Sequence, residues 1–298
     1  MRVLVTGVSG FLGPHLVRNL EDAGHRVWGT CRRGDPEEGG EGIFTVDLES
    51  PDDLERAVRG SRPEVIVHLA GRSHVGTSWD EMGSYFRVNV LGTENLLKAA
   101  PGIPTVLASS GEIYGVVPEE EQPIAEDRPP DPPSPYALTK GAAERLVLGA
   151  GGVVARCFNF VGPGQSPEFA LPSFARQLAA IEAGTQEPTL RVGNLEARRD
   201  FVPVQDGAEG FRILVEEGAP GTTYQIATGR ARSIRQVLDR LIQQTGLEVE
   251  IEIDRKRLRP VDVPLLRGSA ERLRALGWRP RRSLDGVLAE LWSEARRE

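Results

Sequence analysis

The sequence predicts an α/β fold, a doubly wound parallel sheet followed by a smaller α/β lobe. Short apolar runs alternate with stretches of helical periodicity through the first half, the pattern of a parallel sheet covered by helices on both faces. The first run opens directly onto a glycine-rich turn and then a helix. Beyond residue 158 the alternation loosens into shorter elements of mixed type.

Taken in order, strands are expected at 2–6, 26–31, 43–47, 64–69, 104–109 and 152–158, with helices near 12–23, 51–60, 80–100 and 136–149. Arg2 to Thr6 is a buried strand, and Leu12, Leu16, Val17 and Leu20 give the next segment its helical stripe. Glu119 to Pro135 is dense in proline and acid, loop chemistry that delivers the chain to the Tyr136 helix. Ser233 to Thr245 reads as a capped helix and Glu248 to Asp254 as a strand. Ser269–Leu276 and Leu284–Arg297 read as helices.

The 298 residues suffice for one large core, or for a core domain with a smaller partner. Cys31 and Cys157 are the only cysteines and give no disulfide framework, so a reduced, cytoplasmic setting is expected. The first strand begins right after Met1, so no signal segment is expected. No apolar run approaches the ~18 residues of a membrane span. A formal net charge of −7 argues against a nucleic-acid surface. No metal is expected.

Gly7, Gly10 and Gly13 lie between the first strand and its helix. Residues without Cβ let the backbone turn tightly and approach a pyrophosphate, while the helix N-terminus aims unpaired N–H groups at the anion. A dinucleotide is the expected ligand. Past the second strand stand Thr30-Cys31-Arg32-Arg33, with no acid until Asp35. An acid there would bind ribose hydroxyls and arginines would accommodate an extra phosphate, so Arg32 and Arg33 predict NADP(H), with NAD(H) second.

Ser109 and Ser110 end an apolar run, and Tyr136 stands four residues before Lys140 on a predicted helix, so the two share a face. The chain holds three lysines against 33 arginines, and one of the three occupies this position. A neighbouring ammonium favours phenolate, so Lys140 is expected to lower the Tyr136 pKa toward working pH. Ser110 is expected to hydrogen-bond a substrate oxygen as charge builds on it.

The stretch Thr6-Gly7-Val8-Ser9-Gly10-Phe11-Leu12-Gly13 resembles the extended short-chain dehydrogenase/reductase family, as do Asp47-Leu48, His68-Leu69-Ala70 and Asn89. The resemblance runs from residue 3 to about residue 280. It implies a Rossmann-type sheet and a cofactor site formed by Gly7, Ser9, Gly10, Phe11, Leu12, Gly13, Asp47, Leu48, Leu69, Ala70 and Asn89. Lys140 would also hold the nicotinamide ribose. Family dehydratases use the position of Glu112 as a base; an exposed or helix-capping glutamate is the other reading of that residue.

Arg156 to Pro167, Phe169 to Gln177 and Leu190 to Phe201 are similar to GDP-6-deoxy-4-ketomannose reductases, apart from Phe160 and Pro203. The similarity implies that Asn159 binds sugar or phosphate, that Val192 to Asn194 frame the base, and that Arg199 and Arg259 grip the diphosphate. It also implies a homodimer packed through helices 80–100 and 136–149. Residues 1–158 are expected to form the dinucleotide-binding domain, with 198–222 returning to it, and 159–197 and 223–298 the substrate lobe. The implied reaction is NADPH-dependent reduction of a nucleotide-diphosphate 4-keto-6-deoxyhexose. A 4,6-dehydratase or 4-epimerase is the alternative within enzymes; a dinucleotide-sensing regulator is the alternative outside them.

Overall fold

The computed structural model describes residues 1–258 and 262–297. Its first half contains β1 (Arg2–Thr6), α1 (Gly13–Asp22), β2 (Arg26–Cys31), β3 (Ile43–Thr45), α2 (Pro51–Ser61) and β4 (Val65–His68). Then come α3 (Met82–Tyr85), α4 (Gly92–Ala99), β5 (Thr105–Ser110), α5 (Pro135–Gly149) and β6 (Val153–Cys157). The second half supplies β7 (Asn159–Val161), α6 (Ala170–Glu182), β8 (Thr189–Val192), β9 (Arg198–Pro203), α7 (Val204–Glu217) and β10 (Thr223–Ile226). It ends with β11 (Ala231–Ser233), α8 (Ile234–Thr245), β12 (Glu250–Ile253), β13 (Leu265–Leu266), α9 (Glu271–Ala275) and α10 (Leu284–Ala295).

Seven strands form the main sheet in the order β10-β6-β5-β4-β1-β2-β3, and every neighbouring pair is parallel. The order reverses between β1 and β4, and ligand binds such sheets in the crevice at that reversal, beyond the strands' C-terminal ends. Val3, Val5, Val65 and Val67 fill the centre, covered on one face by Leu16 and Leu20 of α1. Leu4 and Ile66 point to the other face, under Leu54 of α2 and Leu96 of α4.

The expected helix over 80–100 begins at Met82 and is interrupted by a π-helical turn, Phe86–Leu91, between α3 and α4. Asn89 sits in this widened turn, a backbone device frequent at functional sites. The structure also redraws the expected domain boundary. Arg198–Pro203 belongs to the lobe, where β9 pairs with β7, β11 and β13. The return to the main sheet instead covers 204–226, because β10 pairs with β6 as its seventh strand. Tyr224, Gln225 and Ile226 are buried there.

The lobe has its own apolar core, with Phe174 and Leu178 of α6, Leu190 of β8, Leu238 of α8 and Leu288 of α10 at its centre. Ser233 caps α8 through a reciprocal bond with Gln236, satisfying two otherwise orphaned donors. Among the described residues no helix is long and apolar enough to cross a membrane.

Candidate active site

Each glycine of the turn after β1 answers a different demand. Gly7 adopts φ +76°, and a Cβ there would lie 2.9 Å from the Ala70 backbone. At Gly13 a Cβ would stand 2.2 Å from the Val8 carbonyl oxygen, so this glycine lets α1 close onto the strand end. Gly10 meets only the Gly7 carbonyl, at 3.3 Å, and its open side faces a cavity. No side chain caps the first turn of α1, where Gly13 N–H is held by the Gly10 carbonyl and Pro14 has no N–H, so the positive end of the helix dipole is what this terminus offers an anion.

That cavity measures about 1220 Å³. Gly7, Ser9 and Gly10 line one end, Arg32, Arg33, Asp47 and Leu48 the side, and Leu69 and Ala70 the base. These residues and the volume suit an extended dinucleotide. Phe11, Leu12, Gly13 and Asn89 do not face it. Phe11 packs edge-on against His15. Asn89 stands behind the wall: it accepts from the Arg72 N–H at 2.8 Å and donates to the Arg72 carbonyl and to Thr139 Oγ1. Its amide thus braces the cavity wall.

Asp35 also departs from its linear position. The turn after β2 brings it back beside the glycine loop, where its carboxylate accepts from Ser9 Oγ at 2.5 Å and from the Arg32 N–H at 2.8 Å. Burial opposes its ionisation, but these bonds and the Arg32 charge outweigh burial and hold the carboxyl below its usual range. An acid is thus present at the cavity wall, where the sequence distance had suggested none.

The catalytic candidates converge. Ser110 ends β5, and Tyr136 enters at the second position of α5, whose N-cap Ser134 accepts from the Ala137 N–H. Ser110 and Glu112, whose N–H donates to Ser110 Oγ at 3.2 Å, are both close enough to act on the Tyr136 phenol. Burial raises the Tyr136 pKa, with Glu112, Cys157 and Tyr85 adding to the rise and Ser110 opposing it. Lys140 is pushed down to about 8, again by burial, with Cys157 and Glu144 opposing. The expected lowering of the phenol by Lys140 is therefore overturned: desolvation penalises the charged form of each group, and the phenol keeps its proton.

Tyr136 and Lys140 are both buried, and neither borders the large cavity. Tyr85, which lines it, lies edge-on to Tyr136 with ring centroids 6.5 Å apart. The Tyr85 hydroxyl donates to the His74 carbonyl and shares a hydrogen bond with Thr77, fastening the 72–81 segment over this end of the sheet.

A second cavity, about 620 Å³, lies beside the lobe. His74, Thr77 and Glu168 line both cavities, so the two adjoin. Asn159 and Asn194 border the second, and among the described residues the buried Asn159 Oδ1 has no hydrogen-bond partner, an acceptor suited to a ligand donor. Arg199 is also on the wall, but its guanidinium is already engaged by Asp262 at 2.7 Å and by the Val263 carbonyl. Asn194 donates to the same carboxylate at 2.6 Å. Arg199 thus enters as one half of an ion pair and not as the free diphosphate grip expected of it.

Val192 is another correction. It is fully buried in the lobe core because β8 turns Leu190 and Val192 inward and Arg191 outward. Arg259 lies outside the described residues. Lys256 and Arg257 line the second cavity and supply cationic side chains that sequence reasoning missed. Their only signal was the basic run 255–259.

A glycine-turn cavity at the sheet's reversal, a buried serine–tyrosine pair with a lysine on the same helix, and an adjoining cavity at a second lobe define a dinucleotide-dependent enzyme of the extended short-chain dehydrogenase/reductase class. Within it, the family model for GDP-mannose 4,6 dehydratase matches residues 4–291, and the chain belongs to that family. It is 36% identical to the GDP-6-deoxy-D-mannose reductase of Pseudomonas aeruginosa, covering 100% of this chain and 99% of that protein. It is 29% identical to the GDP-6-deoxy-D-talose 4-dehydrogenase of Aggregatibacter actinomycetemcomitans, over 92% and 90% of the two. Among solved structures, RMD from Pseudomonas aeruginosa complexed with NADPH matches with a TM-score of 0.88 at 33% identity, covering 100% of this chain and 99% of that one. The UDP-glucose 4-epimerase of Thermus thermophilus in complex with NAD also gives 0.88, at 32% identity over 99% of both chains.

Proposed function

We propose that the chain reduces a nucleotide-diphosphate 4-keto-6-deoxyhexose, such as GDP-4-keto-6-deoxymannose to GDP-rhamnose, with NADPH. The observation that carries this reading is a buried phenol kept protonated beside a serine hydroxyl, the arrangement a ketone oxygen needs when it must receive a proton. Similarity to the P. aeruginosa reductase and to the NADPH-complexed structure supports the choice.

Gly7, Ser9 and Gly10 with the N-terminus of α1 would hold the pyrophosphate, and Arg32 and Arg33 would meet the extra phosphate. When bound, the dinucleotide supplies hydride to carbon 4. Ser110 aligns the ketone oxygen, Tyr136 passes its hydroxyl proton to that oxygen, and Lys140 holds a cation beneath the site. Asn159 and the wall around Asn194 and Arg199 would receive the sugar and its nucleotide.

Purified protein mixed with GDP-4-keto-6-deoxymannose is expected to oxidise NADPH with a higher kcat/KM than NADH. No oxidation, with active controls, would sink the reading, and a preference for NADH would sink the cofactor assignment. The nearness of Glu112 to the phenol favours one second reading, a 4,6-dehydratase or 4-epimerase that returns its hydride. It would show as loss of one water or as inversion, with no net cofactor consumption. The tyrosine and lysine weigh against a dinucleotide-sensing regulator.

We also propose a homodimer. α3, α4 and α5 pack together, and Met82, Leu91 and Leu138 on and between them are each nearly half exposed. Exposed apolar residues on adjoining helices fit a two-fold four-helix contact. Sedimentation at micromolar concentration should give twice the chain mass; a strictly monomeric result would refute the contact.

A further inference from the structure

Tyr136, Lys140 and Glu144 succeed one another at four-residue intervals on α5 and therefore share one face. Glu144 is only 2% exposed, yet it is an acid on a helix face turned to the sheet. Its carboxylate accepts from Ser109 Oγ at 2.5 Å, from Arg156 Nη2 at 2.8 Å and from Arg156 Nε at 3.1 Å. Ser109 and Arg156 are register partners on β5 and β6, and the next pair along is Ser110 and Cys157, which bound the reactive cluster. Arg156 is held in turn by the Tyr114 hydroxyl at 2.9 Å, with its guanidinium 4.8 Å from that ring's centre. One carboxylate thus fastens the catalytic helix to both strand ends that carry the site.

We propose that Glu144 is a positioning residue for the reaction: anchored by Ser109 and Arg156, its carboxylate holds the face of α5 that carries Tyr136 and Lys140 against the ends of β5 and β6, one helical turn from the lysine. The proposal rests on the reductase reading for its catalytic consequence, not for its geometry. Three titratable groups act on or feel Lys140: Glu144 from its own helix, Cys157 from β6 and His68 from β4. Tyr85 from α3 and Glu112 from the turn after β5 act on Tyr136 instead.

His68 is pushed down to about 3 by burial and by Lys140, so it is neutral at working pH. Its two ring nitrogens are occupied by Thr6 and Thr93. Burial pushes the Cys157 thiol up to about 12, so it too is uncharged. Among the described residues, Glu144 is then the one carboxylate that sustains this buried ammonium against desolvation.

The test uses the small number of lysines. With [13C]lysine incorporated, only Lys98, Lys140 and Lys256 give Cε signals, and Lys98→Arg and Lys256→Arg assign them. Without added dinucleotide, Lys140 is expected to half-titrate near 8, and Glu144→Gln to lower that midpoint by about one pH unit. Glu144→Gln leaves Arg156 buried without its partner. If that variant fails to fold, the double variant Glu144→Leu/Arg156→Met, which replaces both charges by apolar groups of similar size, carries the same expectation. A Lys140 midpoint unchanged in either folded variant overturns the proposal. Activity separates the two claims: a shifted midpoint in a protein that cannot reduce the 4-keto sugar leaves Glu144 in its role and removes the reductase reading.

Discussion

Tyr136→Phe is expected to lower kcat/KM for NADPH-dependent reduction by about 10²- to 10⁴-fold, the span typical of one positioned proton donor. The change deletes a single oxygen. The ring stays packed edge-on to Tyr85 and remains buried, so neither α5 nor the cavity wall should move. What disappears is the phenol proton that burial retains beside Ser110. Burial keeps that proton on the phenol through neutral pH, and the ketone oxygen has no equivalent donor among the groups beside Ser110. Dissociation of NADPH, followed by fluorescence, should change by less than about threefold, since the pyrophosphate is proposed to sit at the glycine turn and not at the phenol. A variant that retains more than a tenth of wild-type kcat/KM would remove Tyr136 from the chemistry. Equal losses of turnover and cofactor affinity would instead point to a structural part.

Much of this site was legible because its signals are local. The glycine turn, the Tyr136-Lys140 spacing and the Ser233 cap each lie within a dozen residues, and short-range sterics or helix periodicity decide them. Glu144 was within the same reach, four residues past Lys140, although its significance depends on Arg156 on a different strand. Val192 could also have been placed, because the alternation Leu190-Arg191-Val192 already assigns valine to the inward face. Other features were not legible. Thr223–Ile226 is a main-sheet strand because β6 offers it a partner, and four residues carry too little pattern to say so. Asp35 reaches the cavity only through the turn that folds it onto Ser9. Arg199 is neutralised by Asp262, a partner 63 residues away. Burial set the Tyr136 and Lys140 protonation, and no spacing reports burial.

Gly13→Ala should damage the fold itself, and Gly10→Ala only the ligand site, although the two glycines look alike in the sequence. A Cβ on Gly13 would lie 2.2 Å from the Val8 carbonyl oxygen and 2.6 Å from the Val8 carbonyl carbon and Cα. All three are backbone atoms, so no rotamer change relieves the overlap; α1 must move off the strand end. That helix places Leu16 and Leu20, both fully buried, in the main core, so displacing it opens packing along the sheet. Overpacking of this kind costs about 3 kcal/mol or more, which for a chain of this size corresponds to a fall in Tm of about 6 °C or more. On Gly10 the only neighbour is the Gly7 carbonyl at 3.3 Å, and the methyl points where backbone and pyrophosphate must approach. Gly10→Ala should therefore melt within about 2 °C of wild type, given a cost below 1 kcal/mol, while losing most of the upward shift that NADPH gives the native protein. Melting curves with and without NADPH decide between the two roles. A Gly13→Ala variant as stable as wild type would mean that the helix does not close on Val8 as described, and undiminished NADPH stabilisation of Gly10→Ala would mean that the pyrophosphate is bound elsewhere.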